Sequence, residues 1–260
     1  MGEHVLLERD TAPGVATIRF DRPKVNAITV AMSVDLADIC RELAADDGVR
    51  SVVFTGGTRH FAAGMDIGDF EAMDRAGALD LATKLNDAAL ALEQLPQITI
   101  AAINGFALGG GLELAMATDF RLAASDARLG QPEVLLGIMP GGGGSQRLSR
   151  LAGITLAKEM IYSGRNLTAD EALAANIISS IHEPDEVQQA AIDLASTYAA
   201  GPASLRIAKR VMVAGMHLPL DEAVKLEAEA FADCFETEDR RIGVASFLEH
   251  GAGNATFTGR

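Results

Sequence analysis

The chain has 260 residues, 48% of them hydrophobic, and a formal net charge of −14. A chain of this size and composition buries a sizeable core, which excludes intrinsic disorder as its general state. The negative charge repels polyanions and argues against nonspecific nucleic-acid binding and against adsorption to acidic membranes. Screening over roughly 10 Å still lets local cations hold a small anionic ligand. Cys40 and Cys234 are too few and too far apart for a zinc spacing or a disulfide framework, and are read as buried free thiols. The histidines are scattered, so no metal site is expected. Met1-Gly2-Glu3-His4 opens no basic, then apolar leader, and no apolar run is long enough to span a bilayer, so a cytoplasmic protein is expected.

In chain order, Val5-Leu6-Leu7-Glu8 and Val15-Ala16-Thr17-Ile18-Arg19-Phe20 predict two strands around a Pro13-Gly14 turn. Met32, Leu36, Ile39, Cys40 and Leu43 recur at helical spacing, and Ser51-Val52-Val53-Phe54-Thr55 predicts the next strand. The stretch 61–67 is rich in small residues and reads as a loop able to approach a ligand. Residues 70–95 read as mostly helical with an interruption at Gly77, Leu81, Leu85, Ala88, Ala89 and Leu92 marking the buried face. Ile98–Ile103 predicts a buried strand, Asn104-Gly105 a chain reversal, and residues 119–123 another strand. Residues 154–163 and 168–175 read as helices, the second with Thr168 and Glu171 at capping-box spacing. A strand at 177–181 and a helix at 186–199 follow. After Gly201-Pro202 only helical patterns remain, at 204–214, 221–235 and 237–249. Alternating strands and helices followed by helices alone predict an α/β core over residues 1–200 and a helical region over 201–260 that covers the core or forms a subunit interface.

The chemistry concentrates between Ile98 and Leu148. Gly109, Gly110 and Gly111 stand at the entrance of a helix that begins with Leu112-Glu113-Leu114. Glycines weaken a helix, so their physical use there is either a tight, closely packed turn or access to the unpaired N–H donors and positive dipole end of the helix. Such an end stabilises a bound anion or one that forms in a transition state. Glu113 alone reads as a dipole-stabilised helix acid, Glu133 alone as a solvated acid on a Gly130-Gln131-Pro132-Glu133 turn, and Arg147 as an ion-pair or surface residue. Residues 141–144 read as a flexible connection. The glycine clusters lack the remaining residues of a dinucleotide fingerprint or a phosphate loop, and Arg147 stands where a serine nucleophile elbow at Ser145 needs glycine. His60 reads as a packing or surface histidine before it reads as a ligand contact.

Taken together these residues carry a specific match. Ile103-Asn104-Gly105-Phe106-Ala107-Leu108-Gly109-Gly110-Gly111-Leu112-Glu113-Leu114 resembles the oxyanion-hole and first-glutamate segment of the enoyl-CoA hydratase/isomerase (crotonase) superfamily. Gly130-Gln131-Pro132-Glu133 and Gly137-Ile138-Met139-Pro140-Gly141-Gly142-Gly143-Gly144-Ser145-Gln146-Arg147-Leu148 resemble its second-glutamate segment, and the stretch 61–67 resembles the loop with the other oxyanion donor. The resemblance covers nearly the whole chain, including Thr237-Glu238-Asp239-Arg240-Arg241. It implies an α/β spiral of ββα turns with a C-terminal α-helical trimerisation region, assembled as a homotrimer or a dimer of trimers. It implies backbone donation from Met65 and Gly110 to a thioester oxygen, catalysis by Glu113 and Glu133, and substrate contacts at Ala63, Asp66, Ile67 and Gly109. Coenzyme A then belongs to the substrate, with no separate cofactor and no metal. Relatives with other chemistry commonly change one or both acids, so the pair favours an enoyl-CoA hydratase over a Δ3,Δ2-enoyl-CoA isomerase, and over a noncatalytic acyl-CoA or RNA binder. The chain departs from familiar members at Arg22-Pro23-Lys24-Val25-Asn26-Ala27, one residue shorter than the commoner spacing, and at Gly68, where many have lysine. Lys24 and Arg59 remain as candidate contacts for the coenzyme A phosphates, and residues 70–83 with the helical tail as candidate walls of the acyl pocket.

Overall fold

The computed structural model describes residues 2–68 and 70–260. Strands β1 (Val5–Ala12) and β2 (Val15–Phe20) form the expected antiparallel hairpin. β3 (Ser51–Thr55), β4 (Ile98–Ile103), β6 (Phe120–Ala124) and β9 (Ser180–His182) join it in parallel, in the order β1-β2-β3-β4-β6-β9. β3 and β4 are buried along their whole length, which explains their continuous apolar runs. Phe54 contacts Phe20 and Phe61 edge-on, each with ring centroids 5.0 Å apart.

A second sheet, in the order β5-β7-β8, is made of β5 (Phe106–Leu108), β7 (Arg128–Gly130) and β8 (Asn166–Thr168). The 61–65 stretch meets this sheet by a single parallel bridge, Ala62 with Ala107, and a second parallel bridge ties its Met65 to Ile28. Successive passes of the chain therefore lay one segment in each sheet and then a helix, which is the ββα turn that the resemblance implies. Strands of three residues are too short to display alternation, and none of β5, β7 and β8 is visible in the sequence pattern.

Helix α1 (Val30–Ala44) is capped by the Thr29 side chain and buries the five residues picked out by spacing. α2 (Arg75–Glu93) corrects the expected interruption: Gly77 lies in its first turn, where its N–H donates to the Asp74 cap at 2.8 Å. A 3-10 turn at Phe70–Ala72 precedes it. α3 (Gly110–Ala115) follows β5, and the turn expected around Pro132 is the start of a 3-10 segment, Pro132–Leu136. The expected flexible connection ends in α4 (Gly144–Ala152). α5 (Ile154–Ser163) matches its expected span, and α6 (Ala169–Ala174) has the Thr168/Glu171 capping box. The strand expected at 177–181 lies further on, at β9, because Asn176 takes a left-handed φ of 59° and Ile177 and Ile178 pack as a buried turn beneath α6.

α7 (Val187–Ala199) crosses β3 and β4. α8 (Ser204–Gly215), α9 (Leu220–Cys234) and α10 (Glu238–His250) form the all-helical end. Buried Lys209 ties α8 to the sheet, donating to Gln97 O and Asp119 Oδ2 at 2.7 Å each. Buried Asp239 gathers the N–H groups of Ala203, Thr258 and Gly259. Met212, Leu220, Phe231, Phe247 and Leu248 are left exposed on these helices. Cys40 is buried and Cys234 half-buried, both as free thiols. Among the described residues, no helix is long and apolar enough to cross a membrane.

Candidate active site

A cavity of about 680 Å³ lies between the 61–67 loop, the inner face of α2, the start of α3 and the Pro132–Leu136 segment. Its wall includes Ala63, Met65, Ile67, Gly109, Gly110, Glu113 and Glu133. Gly109 adopts φ +50°, ψ −126°, a geometry reserved for glycine, and a Cβ there would come within 3.1 Å of Glu133 Oε1. This turn starts α3 with its first N–H groups at the cavity. Among the described residues, neither the Gly110 N–H nor the Met65 N–H has a protein acceptor. The bridge to Ile28 uses the Gly64 carbonyl and the Asp66 N–H, leaving Met65 between them aimed elsewhere.

Glu113 is 1% exposed, and its Oε1 accepts from the N–H groups of Gly142 and Gly144 at 2.8 and 2.7 Å. Burial pushes its carboxyl above the ordinary range, while those N–H groups and the Arg147 charge pull against it. Glu133 has a different setting: its Oε2 is buried with no partner among the described residues. Burial pushes its carboxyl up to about 7, its own backbone N–H opposes this, and the charge of Glu113 adds to the rise. Glu133, which taken alone reads as a solvated acid, is thus a desolvated one that lines the same cavity as Glu113.

The rest of the wall is apolar. α2 presents Ala78, Leu81, Ala82 and Leu85 at helical spacing, and Leu135, Leu136, Ile138 and Met139 face them. A second cavity of about 670 Å³, between the end of α2 and α8, contains Glu93 but no pair of carboxylates, and its Lys209 and Arg210 are bound to Asp119 and Asp233.

Residues 10–259 match the family profile described as enoyl-CoA hydratase/isomerase. The chain belongs to the enoyl-CoA hydratase/isomerase family. It is 39% identical over 249 residues to a short-chain-enoyl-CoA hydratase of Clostridium acetobutylicum, covering 95% of both chains. It is 36% identical over 250 residues, again 95% of both, to a crotonyl-CoA hydratase of Syntrophomonas wolfei. The crystal structure of an enoyl-CoA hydratase from Bacillus anthracis superposes with a TM-score of 0.93 at 32% identity, covering 99% of this chain and 100% of that one.

In this enoyl-CoA hydratase/isomerase chain, seven of the residues singled out from sequence meet at one cavity and three do not. Asp66 turns away: its side chain takes Arg22 at 2.6 Å and the Gly68 N–H at 3.1 Å, and its own N–H is given to Ile28. These two donors hold its carboxyl below the usual range. The Ala63 N–H is likewise given to Val25 O at 3.0 Å, so contacts from Ala63 or Asp66 to a ligand run through other atoms. Lys24 and Arg59 are exposed and stand outside the cavity wall. Lys24 sits beside Val25, whose carbonyl accepts from the Ala63 N–H, and Arg59 stands just before His60, whose carbonyl accepts from Asn26. His60 stacks on Phe106 at 4.8 Å, as a packing residue.

Sequence reasoning missed several supports of the site. The Gly142 and Gly144 N–H groups hold Glu113, and only glycine fits, since a Cβ would come within 2.6 and 2.9 Å of its carboxylate oxygens. Asn26 donates to Gly56 O and His60 O at 2.9 Å each and fixes the base of the ligand loop. The repeated glycines were the available signal for the first; nothing in the local pattern marks Asn26.

Proposed function

We propose that this protein is an enoyl-CoA hydratase, adding water across the 2,3 double bond of a 2-enoyl-CoA thioester to give a 3-hydroxyacyl-CoA. The observation that carries this reading is the pair of carboxylates, Glu113 and Glu133, facing one apolar cavity beside the N–H groups of Met65 and Gly110. An enoyl thioester becomes a good electrophile when its carbonyl oxygen takes up negative charge. Donors at Met65 and Gly110 would stabilise the resulting enolate, each by a factor of about 10²–10³.

Glu113 is the base: burial disfavours its ionised form, the two N–H groups and Arg147 offset part of that, and it takes a proton from water as the oxygen bonds to Cβ. Glu133, whose carboxyl is pushed up to about 7, carries a proton in about half of the molecules at neutral pH and delivers it to Cα. The carboxyls then exchange a proton with each other or with solvent, restoring the starting state, and they titrate as a pair. Coenzyme A enters as part of the substrate, with Lys24 and Arg59 as the candidate contacts for its phosphates. Among the described residues no basic side chain lines the cavity, which supports an uncharged aliphatic acyl chain. The exposed apolar side chains of α8, α9 and α10 support assembly as a homotrimer or a dimer of trimers.

The test is to follow the conjugated enoyl-thioester absorbance with crotonyl-CoA and identify the product. Loss of absorbance with formation of the 3-hydroxyacyl thioester is expected. If 2-enoyl thioesters of every chain length stay unchanged while 3-enoyl thioesters are converted to 2-enoyl ones, the protein is an isomerase instead.

A further inference from the structure

The cation near Glu113 belongs to an ion pair with Glu93, and the catalytic scheme leaves the geometry of that pair unused. Arg147, on the first turn of α4, is 12% exposed and donates from Nη2 to Glu93 Oε2 on α2 at 2.7 Å and from Nη1 to Gly142 O at 3.1 Å. Gly142 is the residue whose N–H reaches Glu113 Oε1 from the other side of the same peptide turn. A second side chain from α2, Asn86, donates to Gly141 O at 2.6 Å. The turn that carries both donors to Glu113 is therefore pinned at two successive carbonyls by α2, once directly and once through Arg147.

The packing leaves little freedom. Gly143 has φ +99°, and a Cβ there would overlap Arg147 Nη1, so the guanidinium fills the space a side chain would need. Leu85 closes the other side, 2.5 Å from the position of a Cβ on Gly142. The guanidinium's planar fork suits this double task, which an ammonium cannot copy.

We propose that the Arg147–Glu93 pair is a positioning device for the reaction, in which Arg147 fixes the glycine turn that aims Glu113 and supplies the cation that favours its ionised form. The proposal rests on the hydratase reading for its kinetic consequences, since it makes Arg147 act through Glu113 and not on the substrate. Among the described residues, the charged groups bearing on Glu113 are Arg147 from α4, Glu93 behind it on α2, and Glu133 across the cavity.

Three variants test it. Arg147→Met should lower kcat by about 10–100-fold with KM within about twofold of wild type, as expected for a misplaced catalytic group. The acid limb of its kcat/KM profile should move to higher pH, because an ionised Glu113 has lost its cation. Arg147→Lys keeps the charge but loses the fork: its kcat should lie between those of wild type and Arg147→Met, with the acid limb near that of wild type. Glu93→Gln removes a negative charge and leaves the guanidinium, so its acid limb should move the opposite way, to lower pH. A carbon-13 titration of the Glu113 carboxyl in wild type and Arg147→Met reads the same shift without turnover, and keeps this proposal separable from the hydratase reading. Unmoved limbs and an unmoved Glu113 titration, with only thermal stability lowered, would reduce the pair to a structural role. A wild type that hydrates no enoyl-CoA, yet shows the Glu113 titration shift in Arg147→Met, would overturn the hydratase reading and support the pair as the electrostatic partner of Glu113.

Discussion

Glu113 and Glu133 face the same cavity from two different kinds of wall. Glu113 stands on α3, with Oε1 held by two N–H groups from a turn that α2 and Arg147 pin in place. Glu133 stands on a 3-10 segment whose neighbours Leu135 and Leu136 are exposed, and its buried Oε2 has no partner among the described residues. The same functional group is thus offset for its burial by two N–H groups and a cation in one place and only by its own backbone N–H in the other. Burial raises both carboxyls, and the proposed reaction needs one of them ionised while the other holds a proton.

The strongest way to break this contrast is to remove one carboxylate at a time. Glu113→Gln and Glu133→Gln should each lower kcat by roughly 10²–10⁴ while the fold persists. Steady-state turnover of crotonyl-CoA checks this, and full activity in either variant removes that residue from the mechanism. Gly142→Ala attacks only the Glu113 wall. Its Cβ would lie 2.6 Å from Glu113 Oε2 and 2.5 Å from Leu85, so the carboxylate must shift, and kcat should drop by up to about 10²-fold. Wild-type kcat in the Gly142→Ala variant would show that the turn does not aim Glu113.

The apolar remainder of the cavity predicts discrimination by charge. An enoyl-CoA whose acyl chain ends in a carboxylate would place that charge without a cation, and its kcat/KM should fall at least about tenfold below that of an uncharged chain of equal length. Equal values for the two substrates would locate the chain end outside this cavity.

The Glu133 wall should also register in stability. The Glu133 carboxyl is raised from an ordinary 4.5 to about 7, so the ionisation-linked cost of its burial is absent below pH 4.5, grows as the pH rises from 4.5 to 7, and is level above that. Glu133→Gln should therefore be more stable than wild type at pH 8.5, by at most about 3 kcal/mol, with the advantage shrinking toward pH 4.5. Thermal melts at the two pH values read this directly, and a constant difference would contradict the ionisation-linked cost of burial. The smallest effect is expected away from both walls. Lys24→Glu and Arg59→Glu should each raise KM by about two- to threefold through weakened phosphate attraction, with kcat unchanged. Identical KM values would exclude both contacts.

Much of the fold was legible because it rests on short-range pattern. The continuous apolar runs at β3 and β4, the periodicity of α1 and the Thr168/Glu171 cap each specify their own element within a few residues. The three-residue strands of the second sheet were not legible, because their pairing depends on partners in other turns of the spiral. Within the site, the glycines at 109–111 announced an accessible helix start, since their cost to a helix needs a reason. Asp66 shows the opposite: a polar residue in the ligand loop, it is committed to Arg22, 44 positions away.

By itself the sequence determined that a glycine-rich helix entrance, two glutamates and an α/β core followed by helices belong to one chain. Only the tertiary structure decided that Glu133 is desolvated, that Glu113 is held by N–H groups 29 and 31 positions away, and that Arg147 reaches 54 positions back to Glu93. The reason is that burial and hydrogen-bond partnership are properties of what packs around a side chain, and here those neighbours come from other turns of the spiral.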